Sequence, residues 1–389
     1  MAQIQSAGMS PEQAAMVKLT IVKLFELGQT GEFVGPLTVG PRLIYFGIRP
    51  TGATKISSLE GIAADLAVAL RVEDVLVKRM PGSGHVGIYI PRPDPQHVRW
   101  LDLFGLYEQQ LLKIKGDVLD NVGKPEIPLL LGVNWQGRAF VDDLTKCPHL
   151  LVAGSTGGGK SVLVRSLIAS FTKMFTKSQL QLVLSDTKGV EFNEFADSSL
   201  LRYSTANTAM RTIEYMQELC DTTDSRLKAF GGFGVRNIQE YNQQESPAGR
   251  MPYIVLVIDE LADVVGLSLE KGKATKIGAE KLNYLTRKSR AAGIHVIAAV
   301  QRPSVDVVKG VIKNNFPARL SFHMGSQVDS RVVLDTNGAE HLMRTGDCLY
   351  KGASPELVRI HTGLATQQDI KGVIAYVQYM NEQRKGLTQ

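Results

Sequence analysis

The sequence predicts an α/β protein: a core with a mainly parallel sheet built around a phosphate-binding loop, preceded by a small α+β domain. Three observations carry this expectation. Five near-continuous apolar runs, "HLLVAG", "QLVLSD", "YIVLVIDE", "HVIAAVQ" and "ARLSFHM", three of them ending on a polar residue, are separated by helix-length segments, the pattern of strands buried on both faces of a sheet. The first of these runs leads straight into the glycine-rich "STGGGKS". A chain of 389 residues exceeds one ordinary core, so two domains are expected, placed at 1–125 and 126–389.

Composition narrows the class further. The chain is 44% hydrophobic, 21% charged and 7% aromatic, a globular profile that excludes disordered and fibrous proteins. Lysine and arginine (44) outnumber aspartate and glutamate (38), and the net charge of +6 suits a polyanionic partner without requiring one. Cys147, Cys220 and Cys348 are too few and too far apart for a paired disulfide framework or a CxxC metal site, which predicts buried small hydrophobes in a reducing interior. No apolar run reaches the roughly 18–20 residues that cross a bilayer, and the N-terminus lacks a signal-peptide pattern, so a cytoplasmic protein without a transmembrane segment is expected.

The first domain opens with a helix. Val17, Ile21 and Leu24 recur at helical spacing after Ser10, a capping residue, and Pro11, suited to a first helical position. The β-rich runs "PRLIYFGIRP" and "HVGIYIPRP" then flank "SSLEGIAADLAVAL", whose apolar residues repeat at a helical period. The polar stretch "KIKGDVLDNVGKPEIP", with strong turn signals and little periodicity, marks the exit from this domain.

In the second domain, Gly154, Ser155, Thr156, Gly157, Gly158, Gly159, Lys160, Ser161 and Val162 follow a strand and open the helix "SVLVRSLIASF". Glycines there let backbone N–H groups turn inward on a phosphate at a helix N-terminus, with Lys160 reaching the β/γ-phosphates and Ser161 a Mg²⁺ ion. "YIVLVIDE" delivers Asp259 to the metal and Glu260 to polarise a water, and the two motifs together predict hydrolysis of ATP or GTP.

Other residues leave two readings open. Gln301 ends the strand "HVIAAVQ", either as a γ-phosphate sensor or as a satisfied surface amide. Arg287, Lys288 and Arg290 lie in "LTRKSRAAGIH", as helix C-terminal cations or as the source of an arginine finger for a neighbouring subunit. Arg302, Lys309, Lys313, Arg319 and Arg331 crowd loops nearly free of aromatics, which suits contacts to duplex phosphates over stacking on single strands, or a solvated face.

These strings are familiar in combination. "SRAAGIHVIAAVQRPSVDVVKGVIKNNFPARLSF" and "SQVDSRVVLDTNGAEHLMRTGDCLY", with the two nucleotide motifs, resemble the motor module of the FtsK/SpoIIIE family of double-stranded DNA translocases over most of 130–363, and "GPRLIYFGIRPTGATKISSLEGIAADLAVAL" resembles its small α subdomain. The resemblance implies a RecA-like P-loop ATPase core, a homo-hexameric ring around duplex DNA, and ATP with Mg²⁺ as cofactors. It further implies Arg290 as the finger acting in trans, Gln301 as the sensor, and Arg302, Lys309, Lys313 and Arg331 as phosphate contacts. Gln327 departs from the lysine frequent in relatives and is left out of that set. "SDTKGVEFNEF" in place of a proline-containing "DPK", and extra residues near "SLEKGKATKIG", point to a divergent branch carried by a mobile element or phage. No membrane segment, long linker or winged-helix domain of longer relatives is expected within these residues. Conjugative coupling and DNA packaging share the motor chemistry and stand beside chromosome segregation as tasks, with a protein-remodelling NTPase as the alternative of a different class.

Overall fold

The computed structural model describes residues 10–386 except 53, 73, 81–83, 114–124, 245–248, 266–273, 302, 304–309, 353 and 355. Two compact units result, Met1–Val98 with Val133–Arg138, and Arg99–Gly132 with Ala139–Gln389.

In chain order the first unit contains α1 (Pro11–Glu26), β1 (Gly31–Val39), β2 (Leu43–Pro50), α2 (Ile56–Gly61), α3 (Ala63–Leu70), β3 (Leu76–Met80) and β4 (His85–Pro91), and ends at the short β5 (Val98–Arg99). Helix α1 starts where Ser10 and Pro11 place it. Gln13 donates its N–H to Ser10 Oγ at 3.3 Å while Gln13 Oε1 accepts the Ser10 N–H at 3.1 Å, a reciprocal cap. Val17 and Leu24 are buried, and Ile21 packs against the same cluster. The expected "SSLEGIAADLAVAL" helix is split into α2 and α3 next to Gly61, the weakest helix former in the run.

An antiparallel sheet ordered β1-β2-β4-β3 receives these helices. Strand β1 is a finding that periodicity does not give, because Gly35 and Pro36 interrupt it. Its register shifts between Val34 and Thr38, with Gly35 at φ +77°, so the breakers fall in a bulge rather than end the strand.

The unit boundary falls earlier than residue 125. Helix α4 (Trp100–Lys113) belongs with the larger unit: Trp100 is fully buried, its Nε1–H donates to Ser170 Oγ at 2.8 Å, and Leu103 closes against Gly363. Conversely, Trp135 lies with the first unit, its ring 4.2 Å from that of Tyr45.

The larger unit continues with β6 (Pro128–Asn134), β7 (Ala139–Asp143), β8 (His149–Ala153), α5 (Lys160–Met174), β9 (Leu180–Ser185), α6 (Ala209–Phe233), α7 (Ile238–Gln243), β10 (Tyr253–Ile258), α8 (Leu261–Val265), α9 (Ala274–Lys288), β11 (Ile294–Val300), α10 (Gly310–Asn315), β12 (Ala318–Phe322), α11 (Gln327–Leu334), β13 (Asp347–Lys351), β14 (Val358–His361), β15 (Gly363–Leu364) and α12 (Gln367–Gly386). Its nine-stranded sheet runs β7-β6-β14-β13-β12-β8-β11-β10-β9. The five apolar runs of the sequence are the five parallel strands β12-β8-β11-β10-β9. Strands β13 and β14 extend the sheet antiparallel, and their half-exposed positions hide them from a search for continuous apolar runs.

Two features of this sheet position the site. All five parallel strands end at one edge, so residues 154, 186, 259, 301 and 323 share that edge. Strand β11 is inserted between β8 and β10, which brings Gln301 between the glycine loop and Asp259. The outer side of β9 is covered by the segment 200–206: Leu182 and Leu184 exchange backbone hydrogen bonds with Leu200, Arg202 and Ala206 at 2.8–2.9 Å.

Candidate functional site

The glycine loop is tied to the strand ends around it. Gly154 donates its N–H to Val300 O at 3.3 Å, Ser155 donates both N–H and Oγ–H to His323 O at 3.2 and 3.0 Å, and the Gly346 N–H is 3.0 Å from Gly158 O. Phe322, fully buried, forms the floor. Gly159 shows why the loop tolerates no side chain: its φ is +120°, and a Cβ would lie 2.9 Å from the Phe322 ring and 3.2 Å from the Gly346 nitrogen. Thr156 and Gly157 are exposed at the tip, and Ser161 and Val162 are half-buried in the first turn of α5. The N–H groups of that turn have no helical acceptor of their own, which is what makes such an end receptive to an anion.

Lys160, the first residue of α5, is buried at 5% exposure and donates to the Asp259 carbonyl at 2.7 Å and to Asp259 Oδ1 at 3.2 Å. Asp259 gives the Lys160 ammonium its carboxylate partner and Ser161 is the next residue of this turn, so the site offers a carboxylate and a hydroxyl, hard oxygen donors of the kind Mg²⁺ prefers. Glu260 is buried beside them. Burial raises its carboxyl above the ordinary glutamate value, against the opposing pull of the Lys160 ammonium and of the Gln301 and Ala262 N–H groups. Gln301 meets Glu260 through its backbone, with its N–H 3.5 Å from Glu260 Oε1.

Asp186, which ends β9, was not singled out by the sequence. It is fully buried and accepts the N–H groups of Gly189, Glu191 and Phe192 at 2.7–3.0 Å, fixing the loop that follows β9. Thr187 in that loop donates to Asp263 Oδ2 at 2.5 Å, linking it to α8. The available signal was a buried strand ending on an acid, the same signal that marks Asp259.

Arg290 stands apart. Helix α9 ends at Lys288, so Arg290 is not in the helix but lies exposed on the turn before β11. It lines a cleft of about 410 Å³ with Tyr253, His295, Arg236 and Asn237, at the amino ends of the strands. The seven residues of β11 separate it from Gln301, about 23 Å at the usual rise per residue. Arg290 therefore does not share an edge with the glycine loop of its own chain.

Among the expected DNA contacts, the structure brings two together: Lys313, in the last turn of α10, donates to the Arg331 carbonyl at 3.0 Å. The Arg331 side chain is exposed and donates from Nε to Asn337 Oδ1 at 2.6 Å. Arg319, counted among the loop cations, is instead on β12 and buried at 8% exposure. Arg302 and Lys309 lie outside the described residues.

A central five-stranded parallel run, a glycine loop opening a helix behind a buried lysine, and an Asp-Glu pair one strand beyond the insertion define a P-loop NTPase fold of the RecA-like kind. The chain belongs to the FtsK/SpoIIIE family, whose sequence pattern matches residues 111–305, while the pattern of the FtsK alpha domain matches residues 2–92. It is 35% identical over 347 residues to the DNA translocase FtsK of Helicobacter pylori, covering 88% of this chain and 39% of that protein. Against the DNA translocase FtsK of Streptococcus pneumoniae it is 35% identical over 349 residues, 87% of this chain and 43% of that one. The chain thus spans less than half the length of these curated relatives. In fold it is similar to the pCW3 conjugation coupling protein TcpA, solved with ATPgS, at a TM-score of 0.64 and 23% identity over 95% of this chain and 98% of that one. Among the described residues no helix is long and apolar enough to cross a membrane.

The loop geometry yields a prediction. Gly159→Ala should lower stability by about 1–3 kcal/mol through backbone strain and overlap with Phe322, and abolish nucleotide binding. Thermal unfolding and titration with a fluorescent ATP analogue would read both, and wild-type affinity in this variant would contradict the account.

Proposed function

We propose that this chain is an ATP-driven motor that moves along double-stranded DNA as a homo-hexameric ring in the cytoplasm. The observation that carries the reading is the split of the functional groups between the two edges of one sheet. The glycine loop, Lys160, Asp259, Glu260 and Gln301 stand at the carboxyl edge, and Arg290 at the amino edge, a strand's length away. A nucleotide on the loop then lies beyond the reach of the same chain's Arg290, and a ring would bring it the Arg290 of a neighbour. The names of the curated relatives support the DNA partner, as does the exposed Arg331 beside Lys313.

In this mechanism Gly154 to Val162 cradle the phosphates of ATP, with Lys160 placed on the β/γ-phosphates. Ser161 and Asp259 would hold Mg²⁺, which supplies charge neutralisation of the phosphates when bound. Glu260 accepts a proton from the attacking water. Its raised carboxyl suits this task, because a base whose pKa lies nearer the working pH transfers protons more readily. Gln301 reports the state of the γ-phosphate through its contact with Glu260, and Arg290 stabilises charge in the neighbouring site. Lys313 and Arg331, with Arg302 and Lys309, grip backbone phosphates without reading sequence.

The reading is tested by the ATPase rate with linear duplex, single-stranded or no DNA, at low and moderate salt. Stimulation by duplex that fades with salt is expected, since each neutralised phosphate releases counterions; a rate indifferent to DNA would point to a polypeptide substrate.

Glu260→Gln should keep ATP binding and lose hydrolysis by roughly 10²–10⁴-fold. In the wild type the rate should fall on acidification at a pH above the ordinary glutamate value, because the carboxylate required is protonated earlier when its pKa is raised. Wild-type turnover by Glu260→Gln would remove it as the base.

Arg290→Ala should lower the rate by roughly 10³-fold or more. Mixing it with Glu260→Gln subunits should restore activity, as an intact Arg290 meets an intact Glu260 across an interface. Mixtures no more active than either parent would place the finger elsewhere.

A further inference from the structure

Asp335 gathers more charge than any other carboxylate in the described ion pairs. It ends α11 in the left-handed region at φ +67°, with its N–H donated to Arg331 O at 3.1 Å. Its Oδ1 is 2.5 Å from Lys313 Nζ, and its Oδ2 lies 2.6 Å from Arg319 Nη1 and 3.3 Å from Lys351 Nζ. Partial burial pushes the carboxyl up, but the hydrogen bonds from Lys313, Arg319 and Lys351 outweigh it and hold the group down at about 2.

The three cations are not equivalent. Arg319 also donates to Phe316 O at 2.9 Å, Lys313 O at 2.8 Å and Val333 O at 3.3 Å, so it is a buried staple between the ends of α10 and α11. Lys313 has two acceptors, the Asp335 carboxylate and the Arg331 carbonyl, and the Asp335 side chain is 49% exposed. Three cations on one half-exposed carboxylate form a locally positive site that already holds an oxyanion. A DNA backbone phosphate is an oxyanion of the same kind.

We propose that Asp335 is an internal competitor for DNA: its carboxylate holds Lys313 in the free protein and yields it to a duplex phosphate when DNA is engaged. This rests on the reading that the Lys313 and Arg331 face grips duplex. The Lys313 and Asp335 side chains are 19% and 49% exposed, so solvent reaches the pair from the carboxylate side, where a phosphate could take the place of the carboxylate. A stepping motor needs such a grip, because every contact made must also be released.

The test is duplex binding by the full chain, with a non-hydrolysable ATP analogue and a fluorescent linear duplex, across a salt series. Wild type, Asp335→Asn, Lys313→Gln and the double variant are compared. Asn and Gly both tolerate the left-handed backbone at 335, so Asp335→Gly serves as the second variant, and thermal unfolding confirms that each protein is folded. Asp335→Asn should bind duplex about 3–10-fold more tightly, with a log–log salt slope steeper by up to about 1. Lys313→Gln should cost more affinity in the Asp335→Asn background than in the wild type, a non-additivity that general loss of structure does not produce. An equal cost in both backgrounds, or unchanged affinity in both Asp335 variants, overturns the competitor role while leaving the DNA reading in place. No duplex binding by any of the proteins overturns both.

Discussion

A buried ammonium needs an anion, and meeting that need organises the larger unit. Lys160 and Asp259 are 5% and 2% exposed, and removing one partner of such a pair typically costs about 3–5 kcal/mol. The glycine loop is therefore tied to a particular strand, β10, with β11 held between them. Everything chemical follows from that tie. It fixes Asp259 against the first turn of α5, seats Glu260 in a desolvated position, and sets Gln301 at the end of the strand that lies between β8 and β10. A buried ion pair adds little net stability against an apolar substitute, so its value here is in fixing one arrangement.

The sheet also divides labour by its polarity. Parallel strands place groups that follow them at one edge and groups that precede them at the other. The candidate catalytic groups follow the strands, whereas Arg290 precedes β11 and Lys313 precedes β12. In the ring proposed above, each subunit would carry half of two sites that its neighbours complete. The helix ends meet at Arg319, whose one guanidinium joins α10, β12 and α11.

Much of this is legible in the sequence where the signal is local and repeated. The five parallel strands are written as Val, Ile and Leu runs, the loop as spaced glycines before a lysine, and the Ser10 cap as a serine before Pro11. Legibility fails where long-range packing decides. Helix α4 joins the larger unit because Trp100 finds Ser170, and nothing near residue 100 names that partner. Strand β1 survives Gly35 and Pro36 because a bulge absorbs them. Arg319 looks like one more loop cation until the fold buries it, and the Asp335 cluster joins residues scattered from 313 to 351. Phe322, the floor of the glycine loop, is one aromatic residue in an apolar run and carries no mark of its contact.

The covering of β9 by the segment 200–206 has a consequence for assembly. An open outer strand offers a row of unpaired backbone groups on which another chain can add, without regard to side chains, and so favours fibres and misassembly. Here that row is taken by the chain's own Leu200, Arg202 and Ala206. At this end of the sheet the row of backbone groups on β9 is therefore withheld from another chain, which removes strand addition there as a route to misassembly.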